Sequence, residues 1–145
     1  MPPALIVPDT SVLIKWLLVN EADAHRALAL RKAYIEGRVL LALPTLALYE
    51  VASVLQHQRG VSEATAAKFL AAMVALNIPA ISPEPPVLSR AIRLGRTTGL
   101  SLYDAVFALL ADETGGTWVT ADKHALRRLP LGFPARALEG WVDPG

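Results

Sequence analysis

Four of the thirteen acidic residues in this chain stand where a solvated surface does not account for them. Glu50 is the only formal charge between Val39 and Gln58, in a segment otherwise rich in Leu, Ala and Val. Asp9 is the first charged side chain of the sequence, Asp104 is the only charge between Arg96 and Asp112, and Asp122 ends the uncharged run from Thr114 to Ala121. A carboxylate in apolar surroundings is costly unless a cation or several hydrogen-bond donors compensate it. With no Lys, His or Cys among the four, their convergence calls for a hard divalent ion. Mg²⁺ or Mn²⁺ takes oxygen ligands and keeps several waters. An all-carboxylate site with one or two such ions suits phosphoryl transfer, in which one ion activates a water and another steadies the leaving oxygen. Plainer readings stand beside this one. Asp9 and Asp122 both precede helices, where Asp is a favoured N-cap, and Ser101-x-x-Asp104 fits a capping box. Glu50 has no capping role available; its alternative is a solvent-facing position on an amphipathic helix.

The elements that must position these acids follow from the apolar pattern. Ala4 to Val7 is an unalternating apolar run that suits a strand buried on both faces. Val12 to Val19 reads as a short helix and Asp23 to Glu36 as an amphipathic one with Ala27, Leu28, Leu30, Ala33 and Tyr34 inward. Val39 to Leu43 reads as a second strand closed by Pro44, followed by a helix from Thr45, its N-cap, to Gln58. A helix from Ser62 to Leu76, a strand Ile78 to Ile81, and a rigid Pro-rich turn into a helix ending near Gly99 come next. Leu102 to Thr114 is helical, Thr117 to Thr120 a strand, Asp122 to Leu129 a short helix and Ala135 to Leu138 a last strand, with a loose tail from Asp143. Short apolar strands alternating with helices predict an α/β fold, three-layer α/β/α, with a mostly parallel central sheet. Asp9 and Asp122 then follow strands of that sheet, and the carboxyl ends of such strands are where ligand sites gather.

Bulk composition narrows the classes. At 145 residues the chain reads as one domain, 1–145, and 53% hydrophobic residues exclude disorder. The net charge of +1 means that any nucleic-acid site must be a local patch. Without cysteine there is no disulfide, thiol catalysis or Cys-ligated zinc, and His25, His57 and His124 are widely separated. No signal peptide or membrane-length apolar run is evident, so a cytoplasmic protein is expected.

Asp9-Thr10-Ser11 with Lys15-Trp16, Glu50 in an apolar helix, Gly99-Leu100-Ser101-x-Tyr103-Asp104-Ala105, and Thr120-Ala121-Asp122 resemble the PIN domain family. In length and in these details the chain is most similar to the VapC-type toxins of bacterial and archaeal toxin–antitoxin pairs. The resemblance runs from Leu5 to about Leu138 and implies a Mg²⁺- or Mn²⁺-dependent endoribonuclease that cuts structured RNA such as tRNA or ribosomal RNA. It further implies that Asp9, Glu50, Asp104 and Asp122 hold metal and activate water. Thr10 or Ser11 would position the first carboxylate, and Thr120 would orient a water or phosphate. A cognate antitoxin partner and a homodimer are also implied.

RNA binding needs cations near such a site. Arg90, Arg93 and Arg96 recur at every third position of one helix; Lys123, His124, Arg127 and Arg128 follow Asp122; and Lys15 lies six residues after Asp9. Ordinary solvated faces explain the same residues, and Trp16 fits core or dimer surface better than a base-stacking platform. Two further readings remain: a PIN nuclease of RNA maturation or DNA processing without an antitoxin, and a non-catalytic module binding RNA or protein.

Overall fold

A computed structural model describes residues 2–145. Strand β1 (Ala4–Pro8) leads into a short helix α1 (Thr10–Leu13), extended by a 3₁₀ turn Ile14–Trp16, and then into α2 (Ala24–Ile35) and β2 (Val39–Leu41). The second half of the fold is α5 (Pro85–Thr98), α6 (Leu102–Thr114), β5 (Thr117–Thr120), α7 (Lys123–Arg128) and β6 (Ala135–Ala137). Between them lie β3 (Leu43–Pro44), α3 (Leu46–His57), α4 (Glu63–Ala75) and β4 (Ala80–Ile81). The central sheet has the order β2-β1-β5-β6 with every pairing parallel, and β3 and β4 form a small parallel pair beside it. Helices cover both faces, giving the expected three-layer α/β/α architecture.

The core explains the order. Val7, Trp118 and Val119 are fully buried on the two central strands. Ala105 through Ala111 of α6 form an unbroken buried run, so this helix is apolar on all sides and packs against β1, β3 and β5. Small residues in that run let α5 approach it, and the α5–α6 hairpin turns at Gly99, whose φ of 80° closes α5 with an N–H to the Gly95 carbonyl. From β1 the chain moves outward to β2 on one side; from β5 it moves outward to β6 on the other. The β1–β5 boundary is therefore the point where strand order reverses, which opens a crevice at the carboxyl ends of both strands.

Several local expectations are corrected. The apolar run Val39 to Leu43 is two strands: Ala42 donates to the Ile6 carbonyl, after which Leu43 turns to the Pro79 carbonyl and joins β4, with Pro44 inside the second pair. The helix expected from Val12 begins at Thr10 and tightens to 3₁₀ geometry at Ile14. Thr45 precedes α3 without a capping hydrogen bond, and the helix expected from Asp23 starts at Ala24, with Asp23 in a left-handed conformation before it. The tail is tied down: Trp141 is buried, its carbonyl accepts from Arg26, and Asp143 pairs with Arg38. Trp16 is core, its Nε1 donating to the Ala27 carbonyl at 2.8 Å. Among the described residues no helix is long and apolar enough to cross a membrane.

Gly116 enters β5 against β1, and a Cβ there would stand 3.0 Å from the Leu5 carbonyl oxygen and 3.1 Å from Leu5 Cγ. Backbone cannot yield as a flexible side chain can. Gly116→Ala should therefore destabilise the protein by about 1–3 kcal/mol, read as a lowered urea midpoint with unchanged slope; an unshifted midpoint would contradict this packing.

Candidate active site

Asp9 ends β1 at the crevice and is 7% exposed. It holds its place as the N-cap of α1, its Oδ2 accepting from the Ser11 N–H at 3.1 Å and the Ser11 hydroxyl at 2.6 Å. Because the single Ser11 hydroxyl proton goes to that carboxylate, its oxygen is left to accept. It takes the Ala121 N–H at 3.0 Å, and the Thr120 hydroxyl lies 3.4 Å away. Thr120, fully buried at the end of β5, accepts the Asp122 N–H at 3.1 Å. One hydroxyl network thus ties the end of β1 to the end of β5, alongside the backbone bond from the Asp9 N–H to the Val119 carbonyl.

The other carboxylates arrive from helix starts. Glu50, in the second turn of α3, accepts the Thr10 hydroxyl at 2.9 Å. Asp104 lies in the first turn of α6, capped by Ser101, whose hydroxyl accepts the Asp104 N–H at 3.0 Å. Asp122 caps α7, its Oδ1 accepting from the N–H groups of His124 and Ala125. The capping readings of Asp9 and Asp122 are therefore real, and each uses only one carboxylate oxygen.

Electrostatics brings the four into one cluster. Burial raises the Asp9 carboxyl above its ordinary range, against the opposing hydrogen bonds of Ser11 and Thr120. The neighbouring Trp118 indole also favours the charged form, although its Nε1 meets no acceptor at hydrogen-bonding geometry. Glu50 is raised by burial and by the charges of Asp9 and Asp104, with the Thr10 bond opposing. Asp104 is pushed up to about 6 by burial and by Asp9 and Asp122, with Ser101 and the charge of Arg128 opposing. Among the described residues, no three acidic or histidine side chains form a ready-made cage for one ion as they stand. A water-rich divalent ion needs only one or two direct carboxylates, the rest acting through its waters.

The expected RNA-facing cations are dispersed. Lys15 is buried and pairs with Glu21 at 3.5 Å, lining a cavity of about 200 Å³ with Thr120 and Lys123. Lys123 pairs with Glu139, and Arg127 contacts His124. Arg90 is held by Asp112 and Glu113, eight or nine residues along α6 from Asp104, which at 1.5 Å per residue is roughly 12 Å away. Arg93 is exposed further along α5. Arg128, one of four basic or histidine residues in the run after Asp122, stands apart in the fold: its Nη1 donates to the Gly99 carbonyl at 2.8 Å, beside the start of α6. Larger apolar cavities of about 350 and 290 Å³ lie at α3–α4 and at β4–α5–α6, and none of the four carboxylates lines them.

The sequence model of the PIN domain family matches residues 6–130. The chain belongs to that family. Its fold is similar to PAE2754 from Pyrobaculum aerophilum (24% identity, TM-score 0.67, 94% of this chain and 90% of that one). It is also similar to VapBC2 from Rickettsia felis, solved with a DNA fragment from its promoter (12% identity, TM-score 0.68, 92% and 98%). A third likeness is to VapC20 of Mycobacterium tuberculosis, a sarcin–ricin loop cleaving toxin (15% identity, TM-score 0.65, 88% and 95%). No curated protein sequence matches significantly.

The raised carboxyl of Asp104 fixes a pH dependence. Between the ordinary aspartate value of 3.8 and about 6 the folded chain binds more protons than the unfolded one, so stability falls as pH rises through that window. In EDTA, the melting temperature of Asp104→Asn relative to the unaltered protein should climb from pH 4 to about pH 6.5 and then level off. A difference independent of pH would remove the repulsion.

Proposed function

We propose that the chain is a Mg²⁺- or Mn²⁺-dependent endoribonuclease, the toxin of a VapBC-type pair, which hydrolyses structured RNA such as tRNA or ribosomal RNA. The observation that carries this reading is the gathering of a buried Asp9 and partly buried Glu50 and Asp104 at the carboxyl ends of β1 and β5, a site whose donors are all oxygen. That donor set fits a hard divalent ion and no softer one. Asp9, Glu50, Asp104 and Asp122 would hold it, directly or through water. Bound there, the ion would supply Lewis acidity at the scissile phosphate and lower the pKa of a water.

The chain's own residues do the rest. Ser11 and Thr10 hold the Asp9 and Glu50 carboxylates in fixed orientations, so the negative charge stays aimed at the crevice. In the metal-free chain burial and the charges of Asp9 and Asp122 hold the Asp104 carboxyl up at about 6, and a bound divalent ion would favour its ionised, ligating form. The start of α6 lies under it, where the helix dipole favours the anionic form once repulsion is relieved. The open crevice, with Asp122 exposed, admits a polymer rather than a small enclosed substrate.

The partners follow. Exposed apolar residues on α3, α4, β4 and α5, among them Leu48, Val74, Ile81, Leu88 and Ile92, support a homodimer. The likeness to a VapBC complex supports a cognate antitoxin, and a cytoplasmic setting is part of the same proposal.

The test is Mg²⁺-dependent cleavage of total RNA by the purified chain, with EDTA and Asp9→Asn as controls. Both should lower cleavage by at least about 100-fold while the circular dichroism spectrum is preserved. Cleavage that persists through both controls refutes the carboxylate–metal mechanism.

A further inference from the structure

Resting on the nuclease reading above, we propose that Arg128 grips the phosphodiester backbone of the RNA at the edge of the carboxylate cluster. The need is electrostatic. Four ionised carboxylates with one divalent ion remain negative, and a phosphodiester adds another negative charge, so a cation from the chain has to meet it. Most basic residues near the site are already occupied. Lys15 pairs with Glu21, Lys123 with Glu139, and Arg90 with Asp112 and Glu113.

Arg128, like Arg93, Arg96 and Arg127, pairs with no acid among the described residues; it differs from them in that its single side-chain hydrogen bond is to the backbone carbonyl of Gly99, at the turn before α6. That bond holds the guanidinium at the turn between α5 and α6, five residues before Asp104, so its position is fixed while its charge is uncommitted. Its charge also acts on the Asp104 carboxylate, favouring the ionised form. A guanidinium has five N–H donors in a planar fork; one is taken by Gly99, and the remainder can bind phosphate oxygens bidentately. Asp122 and Arg128 flank the same short helix, so α7 would bring a carboxylate and a phosphate clamp to the crevice as one unit.

The test separates clamping from a merely structural role. Metal-free binding to fluorescent bulk tRNA is measured over a range of NaCl with the full chain carrying Asp9→Asn, which leaves the RNA uncut. Adding Arg128→Ala should weaken binding about ten-fold and make the plot of log affinity against log salt shallower by about one unit. Arg128→Lys should keep the slope, since charge sets it. In the otherwise unaltered chain with Mg²⁺, Arg128→Lys should recover only part of the single-turnover cleavage rate lost in Arg128→Ala, because an ammonium lacks the fork. Melting temperatures should be unchanged. An unaltered slope and affinity in Arg128→Ala, with cleavage still lost in Asp9→Asn, overturns this inference and leaves the nuclease reading standing. A lowered melting temperature with an unaltered slope assigns Arg128 to holding the Gly99 turn and overturns it as well. If the unaltered chain neither binds nor cuts RNA, the nuclease reading falls and this inference with it.

Discussion

The carboxylate of Asp9 is buried at the end of a central strand and faces other carboxylates across a crevice, and much of the surrounding structure answers to that constraint. A buried anion is stable only where donors are aimed at it. Here the donors come from Ser11, one turn onward, and Ser11 is in turn held by Ala121 and Thr120 from the neighbouring strand. The same network that opposes the upward push of burial on the Asp9 carboxyl therefore fixes the relative position of two strand ends.

The sheet order makes this possible. Because β1 and β5 are neighbours whose onward connections diverge, no helix crosses over their carboxyl ends and the crevice stays open. α6 contributes twice, burying its apolar body under the sheet and presenting Asp104 at its start. α3 stands on the other side with Glu50, linked to α1 through Thr10. The repulsion among these groups is a cost that the uncharged body of the domain must carry, and the fully buried run of α6 and the two central strands supply the compensating apolar burial.

Much of this was legible in the sequence because anomalies of charge survive folding. Glu50 was visible as a lone charge in an apolar stretch, and Asp9, Asp104 and Asp122 as acids at element boundaries. Strand and helix order followed from short apolar runs. What could not be read is what depends on distant partners. The break at Ala42 leaves no trace in a uniformly apolar run, because the change is in which carbonyl the backbone meets. Lys15 looked available for RNA until the chain folded it against Glu21. Arg128 was one of several cations in a basic run, and only its reach back to Gly99, 29 residues earlier, sets it apart. The tail's attachment likewise depends on Arg38, 105 residues away from Asp143.

Ser11 and Ala121 are 110 residues apart in the chain, and their hydrogen bond has a meaning in time as well as in space. A ribosome making this protein completes Asp9 and Glu50 long before it reaches the segment that orders them. Until Thr120 and Ala121 have emerged and paired with β1, Ser11 has no partner on β5, and Asp104 and Asp122 have no fixed place beside Asp9. Assembly of the cluster is thus deferred until the segment around Thr120 has emerged, so a shorter nascent chain, still attached to the machinery that made it, carries the earlier acids without the site.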